Sequence, residues 1–182
     1  EFGGESWVRG LLDPKQVASA AYFGNTAHSE GDMVSFVSED FTDKDVWKQA
    51  DKEAVVFALV EEARLLKGAE SKKLVKRGRE LIADTDRCGS CHPYRENETE
   101  LGYAPDLNGW GSTEWVVGII TDPTHQRFYP DTNDRMPRFG VASEGGLPAL
   151  TREQIELISR WLRGSWYRPK GNDKAGRAAD HP

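Results

Sequence analysis

The chain has 182 residues, enough for one medium domain or two small ones, and its 37% hydrophobic and 30% charged content is ordinary for a soluble globular protein. A formal net charge of −6 argues against a nucleic-acid footprint, which needs a basic patch. No apolar run approaches the roughly 20 residues that span a bilayer; the uncharged apolar stretches are as short as Val55 to Val60, and no signal peptide is present, so the chain reads as mature or as an excised soluble part.

In chain order, the first third opens with Phe2-Gly3-Gly4-Glu5-Ser6-Trp7-Val8-Arg9-Gly10-Leu11-Leu12, followed by Asp13-Pro14, Tyr22-Phe23 and Met33-x-x-Phe36. The charged stretch from Ser29 to Asp45 reads as a loop whose acidic residues are solvated, and a helix is expected over Ala54 to Leu66. Lys73 to Asp84 reads as an amphipathic helix with Leu74, Gly78, Leu81 and Ile82 on one side. Gly78, ten residues before Cys88, permits another helix to cross closely, and the helix near the C-terminus is the expected partner.

The chain has two cysteines, in Cys88-Gly89-Ser90-Cys91-His92. Cys-x-x-Cys alone reads as a zinc half-site, a redox dithiol or a haem attachment point. Zinc needs two more ligands at sensible spacing, and His28, His125 and His181 are scattered. The histidine directly after the second cysteine completes the c-type haem motif. Its two thiols add across the two haem vinyl groups, and His92 then lies under the iron as proximal ligand. Haem would consume both thiols, so no disulfide is expected. The alternative is a redox dithiol that happens to precede a histidine.

Trp110-Gly111-Ser112-Thr113-Glu114-Trp115-Val116-Val117-Gly118-Ile119-Ile120 parallels the opening of the chain. Asp122-Pro123, Phe128-Tyr129 and Met136-x-x-Phe139 then follow in the same order as their counterparts in the first third. The helix from Ala54 matches a helix from Gln154. Met136, in Asn133-Asp134-Arg135-Met136-Pro137, lies 44 residues past His92, far enough for the chain to wrap the haem edge. Its thioether would be a soft sixth ligand that raises the potential, with core packing as the alternative. Met33, its counterpart, has no haem motif of its own and reads as structural or vestigial. Tyr103 and Trp110 are candidates to line the pocket or bond a propionate, with aromatic core as the alternative for each. Thr151 starts the last helix, with Gln154 completing a capping box and Gly164 ending it. Residues 169–182, rich in Gly, Lys, Asp and Ala from Lys170 on, read as an extended or poorly ordered tail.

Gly102-Tyr103-Ala104-Pro105-Asp106-Leu107 resembles the Gly-Pro-x-Leu segment of class I cytochromes c. That resemblance implies that the Pro105 carbonyl accepts the second ring N–H of His92. Residues 70–168 as a whole resemble a class I cytochrome c. The stretches Ala104 to Ser112, Asn133 to Pro137 and Trp161 to Tyr167 are similar to cytochrome c subunits of bacterial quinol-oxidising bc-type complexes, often built from two tandem cytochrome domains. The resemblance implies an all-α architecture. Residues 70–168 would form a complete domain around one covalent haem c. Residues 1–66 would form a helical half-domain that resembles the distal half of a second one and lacks its motif. Such a half-domain must bury an apolar face, on the complete domain or on another copy of the chain.

The function expected is single-electron transfer in a respiratory chain by a protein that is not itself an enzyme. Its partners would be a cytochrome b-containing membrane complex or a soluble redox protein. Covalent attachment by this motif takes place outside the cytoplasm, which implies the periplasm or the outer face of the membrane. An open-site haem protein for ligand sensing or small-molecule catalysis is the alternative, and an assembly subunit with an incidental haem is a third reading.

Overall fold

A computed structural model of the chain describes residues 1–143 and 146–165, and its regular elements are all helical, with no strand among the described residues. The tail at 169–182, together with Trp166 and Tyr167, lies outside them. The first half supplies α1 (Glu5–Leu11), α2 (Asp32–Ser38) and α3 (Gln49–Glu62). Then come α4 (Ala69–Ala83), α5 (Thr113–Thr121) and α6 (Arg152–Leu162). Among the described residues, no helix is long and apolar enough to cross a membrane.

Helix boundaries differ from the periodicity for local reasons. α4 begins at Ala69, ahead of the expected Lys73, because Ala69 to Lys72 continue the helix without adding an apolar position. α3 begins at Gln49 and stops at Glu62, where Arg64 turns left-handed (φ 58°) and the Leu65 N–H bonds the Val60 carbonyl at 3.0 Å. α2 lies inside the stretch expected to be a loop. Val34 and Val37, three apart on one face, are buried and anchor its seven residues, too few for a period to stand out among the charges. α6 starts as expected, with the Thr151 side chain and the Gln154 side chain capping reciprocally.

The internal repeat recurs in local geometry. Gly3 and Gly111 precede α1 and α5, both with positive φ (76° and 70°), and a Cβ on either would come 3.1 Å from the Ala63 Cβ. Glycine is therefore needed at both for conformation and for space. Asp13 accepts from the Lys15 N–H at 2.9 Å and Asp122 from the Thr124 N–H at 3.0 Å, the same turn after each helix. Gly10 abuts Tyr22 as Gly118 abuts Phe128. α6 ends as α3 does, with the Ser165 N–H on the Arg160 carbonyl at 2.8 Å.

α3 occupies the centre, with Ala54, Val55, Val56, Ala58, Leu59 and Val60 all buried. α1 packs on one side of it, held also by Arg9 to Glu53 at 2.7 Å, and α4 packs on the other. Gly78 does mark a close crossing, but the partner is α3 and not the C-terminal helix. A Cβ on Gly78 would lie 1.9 Å from the Ala54 carbonyl oxygen and 2.7 Å from the Ala58 Cβ. At the matching positions α6 carries Gln154 and Ile158, too large for that approach. α6 instead packs on α5 through buried Ile155 and Ser159. Its other face leaves Leu157 60%, Ile158 36% and Trp161 62% exposed.

Candidate functional site

The motif follows α4 directly. The Asp84 carbonyl accepts from the N–H groups of Arg87 (2.9 Å) and Gly89 (3.0 Å), which turns the chain out of the helix. A 3₁₀ turn spans Cys88–Ser90. Gly89 lies against the end of α4, where a Cβ would sit 2.6 Å from the Ala83 carbonyl oxygen. The His92 N–H bonds the Cys88 carbonyl at 3.0 Å, so both cysteines and the histidine share one tight turn. Thr99 donates to the Gly89 carbonyl, and the Asn97 amide donates to the His92 carbonyl at 3.0 Å. The backbone of the motif is thereby tied to the loop that follows it.

The His92 ring has a defined orientation. Its Nδ1 lies 2.8 Å from the Pro105 carbonyl oxygen. A carbonyl only accepts, so Nδ1 carries the proton and, in the neutral ring, Nε2 carries the lone pair. Burial lowers the His92 pKa, against the opposing pull of the Pro105 carbonyl, and so favours the neutral ring. Pro105 is itself fixed by its neighbours. Asp106 accepts from Arg127 Nε at 2.8 Å and its carbonyl from Trp115 Nε1 at 2.9 Å, while the Leu107 N–H bonds the Pro93 carbonyl at 2.9 Å. α5 thus holds the acceptor, and α4 holds the donor.

Both thiols are free and half-buried. Burial pushes the Cys88 thiol up to about 12. A redox dithiol works through a thiolate at neutral pH, so this environment disfavours Cys88 as its attacking thiol. Among the described residues, no group of three or more His, Cys, Asp and Glu side chains could hold a metal ion. A turn presenting two free thiols beside an imidazole with a free Nε2 fits a haem held by two thioethers and one protein nitrogen.

The remaining candidates sit in different surroundings. Tyr103 is 62% exposed and donates to Asp32. That bond, with the charge of Asp32, raises its phenol above the usual range. Trp110 is 7% exposed in an aromatic cluster with Phe2 (5.5 Å), Trp7 (5.6 Å) and Trp115 (6.1 Å), which is aromatic core joining the two halves. Met136 is half-buried in a loop where Asn133 Nδ2 donates to its carbonyl at 3.0 Å. Met33 is half-buried on α2.

Glu62, at the end of α3, is absent from the sequence candidates. It accepts from the Tyr94 hydroxyl at 2.8 Å, the Gly109 N–H at 3.0 Å and Arg95 at 3.2 Å, and lies 3.4 Å from Arg79. One carboxylate therefore ties α3 to α4 and to the loops on both sides of Pro105. Its only signal in sequence is a charge at the end of a buried helix, which any solvated helix end also shows. A groove of about 570 Å³ between α5 and α6, lined by Val117, Gly118 and Phe128 among others, includes none of the motif residues. No protein-family model, curated protein or solved structure matches the chain.

Proposed function

We propose that the chain is a mono-haem c-type cytochrome that carries single electrons, with haem attached through Cys88 and Cys91 and iron held by His92 and a methionine. The observation that carries this reading is the Nδ1 contact of His92 with the Pro105 carbonyl at 2.8 Å. It leaves Nε2 as the ligating atom and fixes the ring plane, which is how a protein orients a metal-binding imidazole. The bound haem would supply reversible one-electron chemistry. The chain's own part is to hold the ring, keep it neutral by burial and restrict water around it. The haem fold is that of a class I cytochrome c, and Met136 is the methionine that the sequence singles out.

By the same resemblance, the chain works in a quinol-oxidising bc-type respiratory complex. It would lie in the periplasm or on the outer face of the membrane, beside a cytochrome b or a soluble redox partner. The test is an intact mass with an alkaline pyridine spectrum of protein made in a host that matures c-type cytochromes. One haem retained after acid–acetone extraction, with the spectrum of two thioether bonds, is the expected result. Retention lost in Cys88→Ala or Cys91→Ala agrees with it. A haem-free wild-type mass from such a host overturns it.

A further inference from the structure

Resting on that haem reading, we infer that Glu62, from the half of the chain that has no haem motif, is a positioning residue. It sets the hydrogen bond of His92 to Pro105 and, through it, the reduction potential. Two segments make that bond: residues 92–95 carry the ring and residues 105–109 carry its acceptor. They are laid against each other by the Nδ1 contact at 2.8 Å, by the Leu107 N–H on the Pro93 carbonyl at 2.9 Å and by the Arg95 N–H on Asn108 Oδ1 at 2.9 Å. Neither segment lies in a helix, so their separation depends on what anchors them from outside.

Glu62 grips both. Its Oε1 accepts from the Tyr94 hydroxyl at 2.8 Å and from Arg95 at 3.2 Å, and its Oε2 accepts from the Gly109 N–H at 3.0 Å. Tyr94 is 1% exposed, so water does not compete for that bond. Arg79, 3.4 Å from Oε1, brings α4 to the same carboxylate. The mount is firm, because α3 carries Glu62 and is seated closely on α4 at Gly78. The repeat shows that Glu62 is not a generic helix end. Arg64 and Gly164 turn left-handed alike (φ 58° and 66°) after α3 and α6, which sets Leu162 at the position of Glu62. Leucine cannot accept a hydrogen bond, and α6 packs on α5. The first half therefore supplies a clamp that the second half lacks. A firm acceptor on Nδ1–H makes the imidazole a stronger donor to iron, which favours the oxidised state and lowers the potential. Loosening the clamp raises it.

The test uses the full chain with covalent haem. Glu62→Gln, Tyr94→Phe and Glu61→Gln are compared by redox titration and by the proton NMR shifts of the haem methyl groups in the oxidised protein, which report the plane of the axial imidazole. The expected result is a raised potential and an altered methyl pattern in Glu62→Gln and in Tyr94→Phe, with neither change in Glu61→Gln. Tyr94→Phe keeps the Glu62 charge and loses only the grip, so it decides the matter even where Glu62→Gln fails to fold. A Tyr94→Phe potential that is unchanged or lowered overturns the inference, because the carboxylate would then act by charge alone. An equal shift in Glu61→Gln overturns it too. A wild type without covalent haem overturns the underlying reading instead, and the intact mass separates the two failures.

Discussion

Glu62 shows how one side chain can be charged and nearly buried, with 11% of its side chain exposed. Burial alone would raise its carboxyl. The bonds from Tyr94, Gly109 and Arg95, with the charge of Arg79, outweigh that and hold it below the ordinary range. A folded pKa below the unfolded value of about 4.3 contributes stability that is fully present above that value. The contribution is lost as pH falls through the folded value. Glu62→Gln keeps the shape and loses the charge, and should cost about 1–2 kcal/mol at neutral pH. Urea midpoints of the two proteins should converge as pH falls from about 4.3 through the folded value, where the wild-type carboxylate is neutralised. A constant difference between them across that range would mean that the charge is not what Glu62 supplies. At this scale the sequence was legible where partners are adjacent, as in the motif itself. It was silent for Glu62, whose partners lie 32 and 47 residues away.

α4 and α3 meet where their backbones can approach, and Gly78 sets that approach. In isolation, Gly78→Ala would favour the helix by about 1 kcal/mol. Here the new Cβ meets the Ala54 carbonyl oxygen at 1.9 Å, a backbone atom that cannot swing aside. Overpacking of this kind costs about 1–3 kcal/mol, and the clash is severe enough to outweigh the gain in propensity. We expect Gly78→Ala to lower stability by about 2 kcal/mol in chemical denaturation, with Gly78→Val worse. Lys76→Ala, on the exposed side of the same helix, should stay within about 0.5 kcal/mol of wild type. If Gly78→Ala instead stabilises the protein, α4 does not sit on α3 in solution. Sequence alone identified the glycine as a crossing point. It could not choose the helix, because α3 and α6 both offer apolar positions at helical spacing, and only the size of residues 54 and 58 against 154 and 158 separates them.

Across the whole molecule, Arg163 joins the two halves. Its guanidinium donates to the Gly111 carbonyl at 2.9 Å, to Thr113 and to the Ala63 carbonyl, while only 7% of the residue is exposed. The Phe2 N–H bonds the Leu162 carbonyl at 2.8 Å beside it. Arg163→Met would leave buried carbonyls without a donor, each worth about 1–3 kcal/mol, so a loss of about 2–4 kcal/mol is expected. Arg163→Lys should rescue little, since an ammonium cannot span three acceptors in a plane. Far-UV circular dichroism and tryptophan fluorescence should give one coincident transition in the wild type, because α3 belongs to a core shared by both halves. Two separated transitions would mean that the halves are independent.

What propensity, spacing and residue order carry can be read from the chain alone. These are the helical class, the Cys88–His92 motif, the capping box at Thr151 and a repeat with matched glycines, aromatics and methionines. The first three need only near neighbours in the chain, and the repeat needs only the order of residues along it, so propensity, spacing and order suffice to read them. The tertiary structure alone decided which helix backs α4, that Trp110 joins an aromatic core between the halves, that Tyr103 reaches Asp32, and that Glu62 and Arg163 bridge distant segments. Those outcomes depend on side-chain volume at a crossing and on polar partners tens of residues apart. Two copies of one helix pattern leave such choices degenerate until the chain is packed.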